Sequence, residues 1–525
     1  MVLREKLILR PEDSTWENSM TENNSTPKIL DSRRDFLKLL GGSIGALAGT
    51  TYPTMAGQIS TQATTPLYES GSGDITMALT GDSMISRSLM LYREERFLKL
   101  RDVLLGADVR FTNGEILFHN YENSPTYYTR TYMRCDPRLI KDLQWLGFNL
   151  MSCANNHGID YGEGGVLTNI RNLDEAGMVH AGSGSNYSEA LAPAYLETPK
   201  GRVGLVSATS SGRANSRAGE QRRDMKGRPG VNLIRWINEW TVDKGTFEAF
   251  THAAKQFGWQ PGGESATRAA ATDPNTVLLH DYAIDKDKPA SAVYFSDRNE
   301  LGVGSEDPAA RFVLGESFER HTRINEPDFR RNVQSVNDAH RMADWVIYTV
   351  HNHEGGKTIE EPSEHMQILA RAVIDNGADT FVGHGPHLLR GIEIYKGRPI
   401  FYSLGSFISE NDTVLLEPED DMAREGLTSE STPADFYDAR AASEKPNVRV
   451  WQSAIPVVTF KSKNLHEIKL YPIEMGFGLP RPDAGRPMLA QGKTATDILQ
   501  RLKRLSEPFH TNIEIQGEVG VIRIG

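Results

Sequence analysis

The chain has 525 residues, a formal charge of −11 and a sequence pI near 5.8. That length allows several domains or one large domain with insertions, and the acidic balance argues against a general nucleic-acid binder. Two cysteines, Cys135 and Cys153, are too few for a disulfide scaffold, and neither lies in a Cys-x-x-Cys pair that would suggest zinc.

At the amino terminus, "SRRDFLKLLGGSIGALAGT" places Arg33 and Arg34 before a moderately apolar stretch from Leu39 to Ala48. The run resembles a twin-arginine export signal, and it is too short and too rich in glycine for a spanning helix. Residues 1–56 therefore read as a leader with a cut expected after Ala56. The protein is expected to be exported by the twin-arginine machinery to the periplasm or another extracytoplasmic space, either released or tethered by an uncleaved signal. Export of a folded protein suits one that takes up a metal first. The cysteines would then meet a reducing compartment during folding, so no disulfide is expected.

From Asp74 the pattern alternates between strands and helices. "DITMALTGD" reads as a strand running into a turn at Gly81-Asp82, "ADVRFTNGE" as a second strand and "GFNLMSCANNH" as a third. "GEGGVLTNIRNLDEAG" spaces Val166, Ile170 and Leu173 along one helix face and stops at Gly177. A short strand "MVHAGSG" and a hairpin turning at Lys200-Gly201 complete residues 74–211. Residues 212–326 break the rhythm and read as an insertion, mainly helical around "FEAFTHAAKQFG", with a cap over the site as one reading. The pattern resumes in residues 327–525. A helix "DFRRNVQSVNDAHRMA" leads to the strand "DWVIYTVHNHE", then a helix "EHMQILARAVIDNG" to the strand "ADTFVGHGPH". A hairpin turning at Lys396-Gly397, a strand pair, a helix "TATDILQRLKRLSEPF" and two last strands follow. Such alternation reads as an α/β sandwich.

Five predicted strand ends carry polar groups. They supply Asp82; Asn113 with Glu115; Asn155, Asn156 and His157; His351 with His353 and Glu354; and His384 with His387. In an open α/β sheet ligands bind at the carboxyl edge of the strands. Taken alone, "SCANNHGIDYG" reads as a loop whose Asn and His side chains cap backbone groups. Five such ends together suit divalent ions such as Mn, Fe or Zn, since carboxylate, imidazole and amide oxygen are their ligands. Two ions about 3.5–4 Å apart would clamp a water and lower its pKa toward ~7. His353 lies two residues from His351 on the same side of a strand, so it is either a ligand or a neighbour of one. Asp160 is either a partner for His157 or a turn residue, with the turn favoured. Arg222, Arg223 and Arg228 fall in a local basic run, "RANSRAGEQRRDMKGRPG", that would attract an anionic polymer or a phosphate ester if it is more than a solvated loop.

The succession "GDSM", "NGE", "ANNHGIDYG", "VHNHE", "GHGPH" and "IEIYKGRPIFYSLGSF" closely resembles the CapA family of poly-γ-glutamate capsule biosynthesis proteins, of the calcineurin-like metallophosphatase superfamily. The resemblance implies a four-layer αββα sandwich with the insertion added to it. It implies Asp82, Glu115, Asn156, His351, His384 and His387 as metal ligands, and His157 as the acid that protonates the leaving group. It groups His351 and His384 with Asn156 around one metal, and His387 with Asp82 around the other. Asn113, Asn155, Asp160, His353 and Glu354 are left as supporting groups or further ligands. Two departures stand out: Met84 falls where the superfamily has a histidine, implying a weaker Asp82-side site, and Ser406 falls where the family commonly shows asparagine. The implied function is a metal-dependent hydrolase or transferase acting on an anionic polymer beside other capsule-synthesis proteins. A phosphoesterase and a non-catalytic assembly factor with a structural metal are the alternatives.

Overall fold

A computed structural model of the protein describes residues 73–126, 131–256, 276–279, 282–285, 292–295, 310–443 and 446–524. The leader, with Arg33 and Arg34, lies outside the described residues. In chain order the polypeptide builds half of one sheet, then a second sheet, then returns to finish the first. The first half comprises β1 (Ile75–Met84), β2 (Val109–Gly114), β3 (Leu150–Ser152) and β4 (Val179–Ala181). The second sheet takes β5 (Ala194–Thr198), β6 (Gly201–Thr209), β7 (Trp345–His351), β8 (Thr380–His384), β9 (Ile392–Tyr395) and β10 (Arg398–Phe401). The chain then returns through β11 (Ser406–Ser409), β12 (Gln452–Lys461), β13 (Asn464–Glu474), β14 (Met488–Leu489), β15 (Glu514–Gln516) and β16 (Val519–Arg523).

The first sheet has ten strands in the order β15-β16-β13-β12-β1-β2-β3-β4, with β11 pairing with β1 and β14 with β13. The second has six, in the order β9-β10-β8-β7-β6-β5. β1 to β4 are parallel neighbours, as are β6, β7 and β8. Their carboxyl ends therefore lie along a common edge within each sheet.

Strand periodicity explains how the sheets share a core. Successive side chains point to opposite faces. In β1, Ile75, Met77 and Leu79 enter one apolar cluster and Ala78 another. In β7, Trp345 and Ile347 join the cluster that holds Ile75, Met77 and Leu79, whereas Val346, Tyr348 and Val350 join a third. The shared cluster therefore lies between the two sheets. The outer face of the first is covered by α1 (Glu95–Leu105), α2 (Ile140–Leu146) and α3 (Gly162–Ala176), through residues such as Phe97, Leu143 and Leu173. The outer face of the second is covered by α4 (Glu326–Met342) and α5 (Glu364–Asp375), through Val336, Leu369 and Val373. Strands buried on both faces read as near-continuous apolar runs, which is why they were visible in the sequence.

Two expectations need correction. The predicted turn at Gly81-Asp82 is a continuation of β1, whose pairing with β2 shifts register between Leu79 and Asp82. Gly81 serves close packing instead: a Cβ there would meet the Gly405 carbonyl oxygen at 1.8 Å. Among its described residues the insertion is not mainly helical. A helix, Lys244–Gln256, accompanies a four-stranded sheet ordered Ala292–Phe295, Ala310–Leu314, Trp236–Val242 and Glu319–Ile324. "WINEWTV" and "ERHTRI" are half-exposed and interrupted by charge, so they lack the apolar signature of a core strand. The excursion also begins later than residue 212. Val231, Leu233 and Ile234 are buried, and Thr209 donates to the Asn232 carbonyl.

Candidate metal centre

The five strand ends converge. β1 and β2 align Asp82 with Asn113, and β7 and β8 align His351 with His384. Asp82, His351 and His384 are fully buried, and each offers an atom within 4.8 Å of the others. Glu115, His353 and His387 form a second such group. The groups adjoin: His351 Nε2 lies 3.0 Å from His353 Nε2 and 3.5 Å from Glu115 Oε1, and His387 Nδ1 lies 3.4 Å from Asp82 Oδ2.

This grouping differs from the one implied by resemblance. His351 and His384 sit with Asp82, while His387 Nδ1 lies between the two carboxylates, 3.4 Å from Asp82 and 3.9 Å from Glu115. Although Met84 supplies no imidazole, Asp82 has those of His351 and His384 beside it. Met84 itself packs in the core against the helices. His353 enters a ligand group rather than only supporting one.

The hydrogen bonds around His384 fix the tautomer of its ring. Thr349 Oγ1 has one hydrogen, and it donates to the Val382 carbonyl at 2.8 Å. Its 2.9 Å contact with His384 Nε2 must then be accepted from the ring N–H. The other nitrogen, Nδ1, aims its lone pair at Asp82 Oδ1, 3.1 Å away, and at His351 Nδ1, also 3.1 Å away. Asp82 Oδ1 and the His384 lone pair are both acceptors, and at this distance they attract only through a shared proton or a shared cation. Asp82 also receives Asn113 Nδ2 at 2.8 Å and the Gly385 N–H at 3.0 Å. Burial pushes its carboxyl up, but the neighbouring imidazoles of His351, His384 and His387 outweigh that and hold it well below the usual range. Burial lowers the His351 imidazole to about 4 and holds His353 well below its ordinary value, so both rings are neutral near pH 7, as ligands must be.

Four oxygens in this region are buried without a hydrogen-bond partner: both of Glu115, Asn113 Oδ1 and Asn156 Oδ1. Burial, then the charges of Asp82 and Asp160, push the Glu115 carboxyl well above its usual range. Leaving such atoms unpaired is costly unless a cation faces them. Carboxylate, imidazole and amide donors fit Mn, Fe or Zn.

The other predicted residues fall into clear places. His157 Nδ1 lies 2.6 Å from Asp160 Oδ2, and its Nε2 lies 3.9 Å from Glu115 Oε1. Asp160, favoured as a turn residue, does close a turn, yet its buried carboxylate also orients His157 and accepts the Met133 N–H. Asn155 caps the loop, donating to the Gly114 carbonyl and accepting the His157 N–H. Glu354 is not among the ligand groups; it accepts from Ser210, Ser211 and Asn352. Arg222 is paired with exposed Asp224, and Arg228 donates to the Arg217 carbonyl, so both stabilise their own loop. Arg223 is exposed on the same loop.

Three contributors were missed or underrated. Thr349 sets the His384 tautomer, and its position two residues before His351 could have flagged it. Ser406, expected only to alter a loop bond, lies 3.0 Å from His387 Nδ1. Arg390 is buried beneath the loop after β7, and an arginine in the apolar run "HLLRG" was the available signal.

The chain is 35% identical over 463 residues to the y4sH protein of Sinorhizobium fredii, covering 86% of this chain and 93% of that one. It is 24% identical over 408 residues to the PGA biosynthesis protein CapA of Bacillus subtilis, covering 73% and 78%. Among solved structures, an NAD nucleotidase of Haemophilus influenzae matches with a TM-score of 0.28 and 10% identity over 82% of this chain and 56% of that one. The sequence model described as bacterial capsule synthesis protein PGA_cap matches residues 73–411, and the chain belongs to that family.

Proposed function

We propose that this chain is a divalent-metal-dependent hydrolase or transferase of capsule assembly, exported by its twin-arginine-type leader, acting on an anionic polymer of the poly-γ-glutamate kind. The supporting architecture is read as a four-layer αββα sandwich of metallophosphatase type. The observation that carries the proposal is the His384 lone pair facing the Asp82 carboxylate, with His351 alongside, beside the unpartnered oxygens of Glu115, Asn113 and Asn156. Divalent ions held there would supply a Lewis acid and a water-derived nucleophile at neutral pH. The protein's own residues do the rest. Asp160 fixes the ring of His157 through Nδ1, which leaves Nε2 on the Glu115 side to hand a proton to the leaving group. Thr349 and Ser406 keep His384 and His387 oriented.

A phosphate ester is the second substrate class, favoured by the close pair of ligand groups. The test assays γ-glutamyl polymer and a phosphodiester with wild type and His157→Ala. Turnover in the variant should fall by about 100-fold or more with metal content unchanged. Undiminished turnover, or none by wild type on either substrate, would favour the non-catalytic assembly role.

A further inference from the structure

Arg390 is 1% exposed and lies on the segment after β8. A guanidinium has five N–H groups, and five acceptors meet them. Nε donates to the Ile359 carbonyl at 3.0 Å. Nη1 reaches the Asn352 side-chain oxygen at 2.9 Å and the Asn352 carbonyl at 3.5 Å. Nη2 reaches the carbonyls of His353 at 3.3 Å and Glu354 at 2.9 Å. The same three residues are held from the opposite side by the end of β6. Ser211 Oγ accepts the His353 N–H at 2.8 Å, and Asn352 Nδ2 donates to Ser210 Oγ at 2.7 Å. Asn352 N–H also donates to the His384 carbonyl at 2.7 Å. Gly385, with φ +120°, makes room, since a Cβ there would meet the Asn352 nitrogen at 2.8 Å.

We infer that Arg390 and Ser211 are positioning residues for His353, gripping its peptide by the carbonyl and the N–H so that its imidazole completes the Glu115–His387 group. This rests on the reading that both ligand groups hold metal. Asp82, His351 and His384 have further supports that involve neither Arg390 nor Ser211: the β1, β7 and β8 ladders, Thr349 and Asn113. The consequence is selective. Loosening the His353 peptide should weaken one metal and spare the other, whereas general loss of structure would weaken both.

The experiment measures metal binding to full-length wild type, Arg390→Lys and Ser211→Ala by calorimetric titration of the metal-stripped proteins with Mn²⁺, alongside their thermal midpoints. Wild type should take up two equivalents. Each variant should keep one at wild-type affinity and bind the second about 10–100-fold more weakly. Ser211→Ala keeps the inference testable if Arg390→Lys does not fold. Two unchanged equivalents in a variant, or equal weakening of both, would overturn the positioning role and leave the two-metal reading standing. A single equivalent in wild type would overturn that reading, and the inference with it.

Discussion

His384 gains its meaning from a hydroxyl. Thr349 donates to one carbonyl, so it can only accept from the ring, and the free lone pair of His384 is thereby committed to Asp82. His157 shows the complementary arrangement, a ring fixed by Asp160 with its other nitrogen free. The site residues were legible individually because carboxylate, amide and imidazole at strand ends are conspicuous. Their grouping was not, because which imidazole meets which carboxylate depends on sheet-to-sheet packing, which no local pattern encodes. Glu417, beyond the centre, gives a test of titration at this scale. Tyr437 donates to one of its oxygens and the other is buried without a partner. Burial first, with the charges of Asp421 and Asp160 adding to it, raises this carboxyl from 4.5 to about 8. A raised carboxyl contributes its stability fully below 4.5 and loses it as pH climbs to about 8, by up to about 1.4 kcal/mol per unit. Denaturant midpoints of Glu417→Gln should therefore decline less than those of wild type between about pH 5 and pH 8. Parallel declines would show that Glu417 is ionised in the fold.

At the level of elements, the parallel strands were readable from apolar runs ending in Gly, Asn and Asp, and α3 ends at Gly177 as its pattern indicated. The strands of the insertion were not, since Arg, Glu and Asn on their open faces mimic loop composition. β1 illustrates a further limit. Gly81 looks like a turn glycine, but it lets β1 pass against Gly405, whose carbonyl receives the Asp82 N–H at 3.0 Å. Gly81→Ala should force that contact apart, cost about 1–3 kcal/mol and displace Asp82. A lowered thermal midpoint with reduced metal content is the expected result. Unchanged values of both would mean that β1 can shift without disturbing its carboxylate.

Across the whole molecule, the chain order explains why the centre is scattered from Asp82 to His387. One sheet provides Asp82, Asn113, Glu115 and the Asn156–His157 loop; the other provides His351, His353, His384 and His387. Each candidate ligand group draws on both sheets, and the apolar cluster between the sheets is what brings them together. Elemental mass spectrometry of protein purified folded and without chelator, beside His384→Ala, tests that account most directly. Wild type should carry about two equivalents of Mn, Fe or Zn, and His384→Ala no more than one. An absence of metal from wild type, or the same content in both proteins, would contradict it.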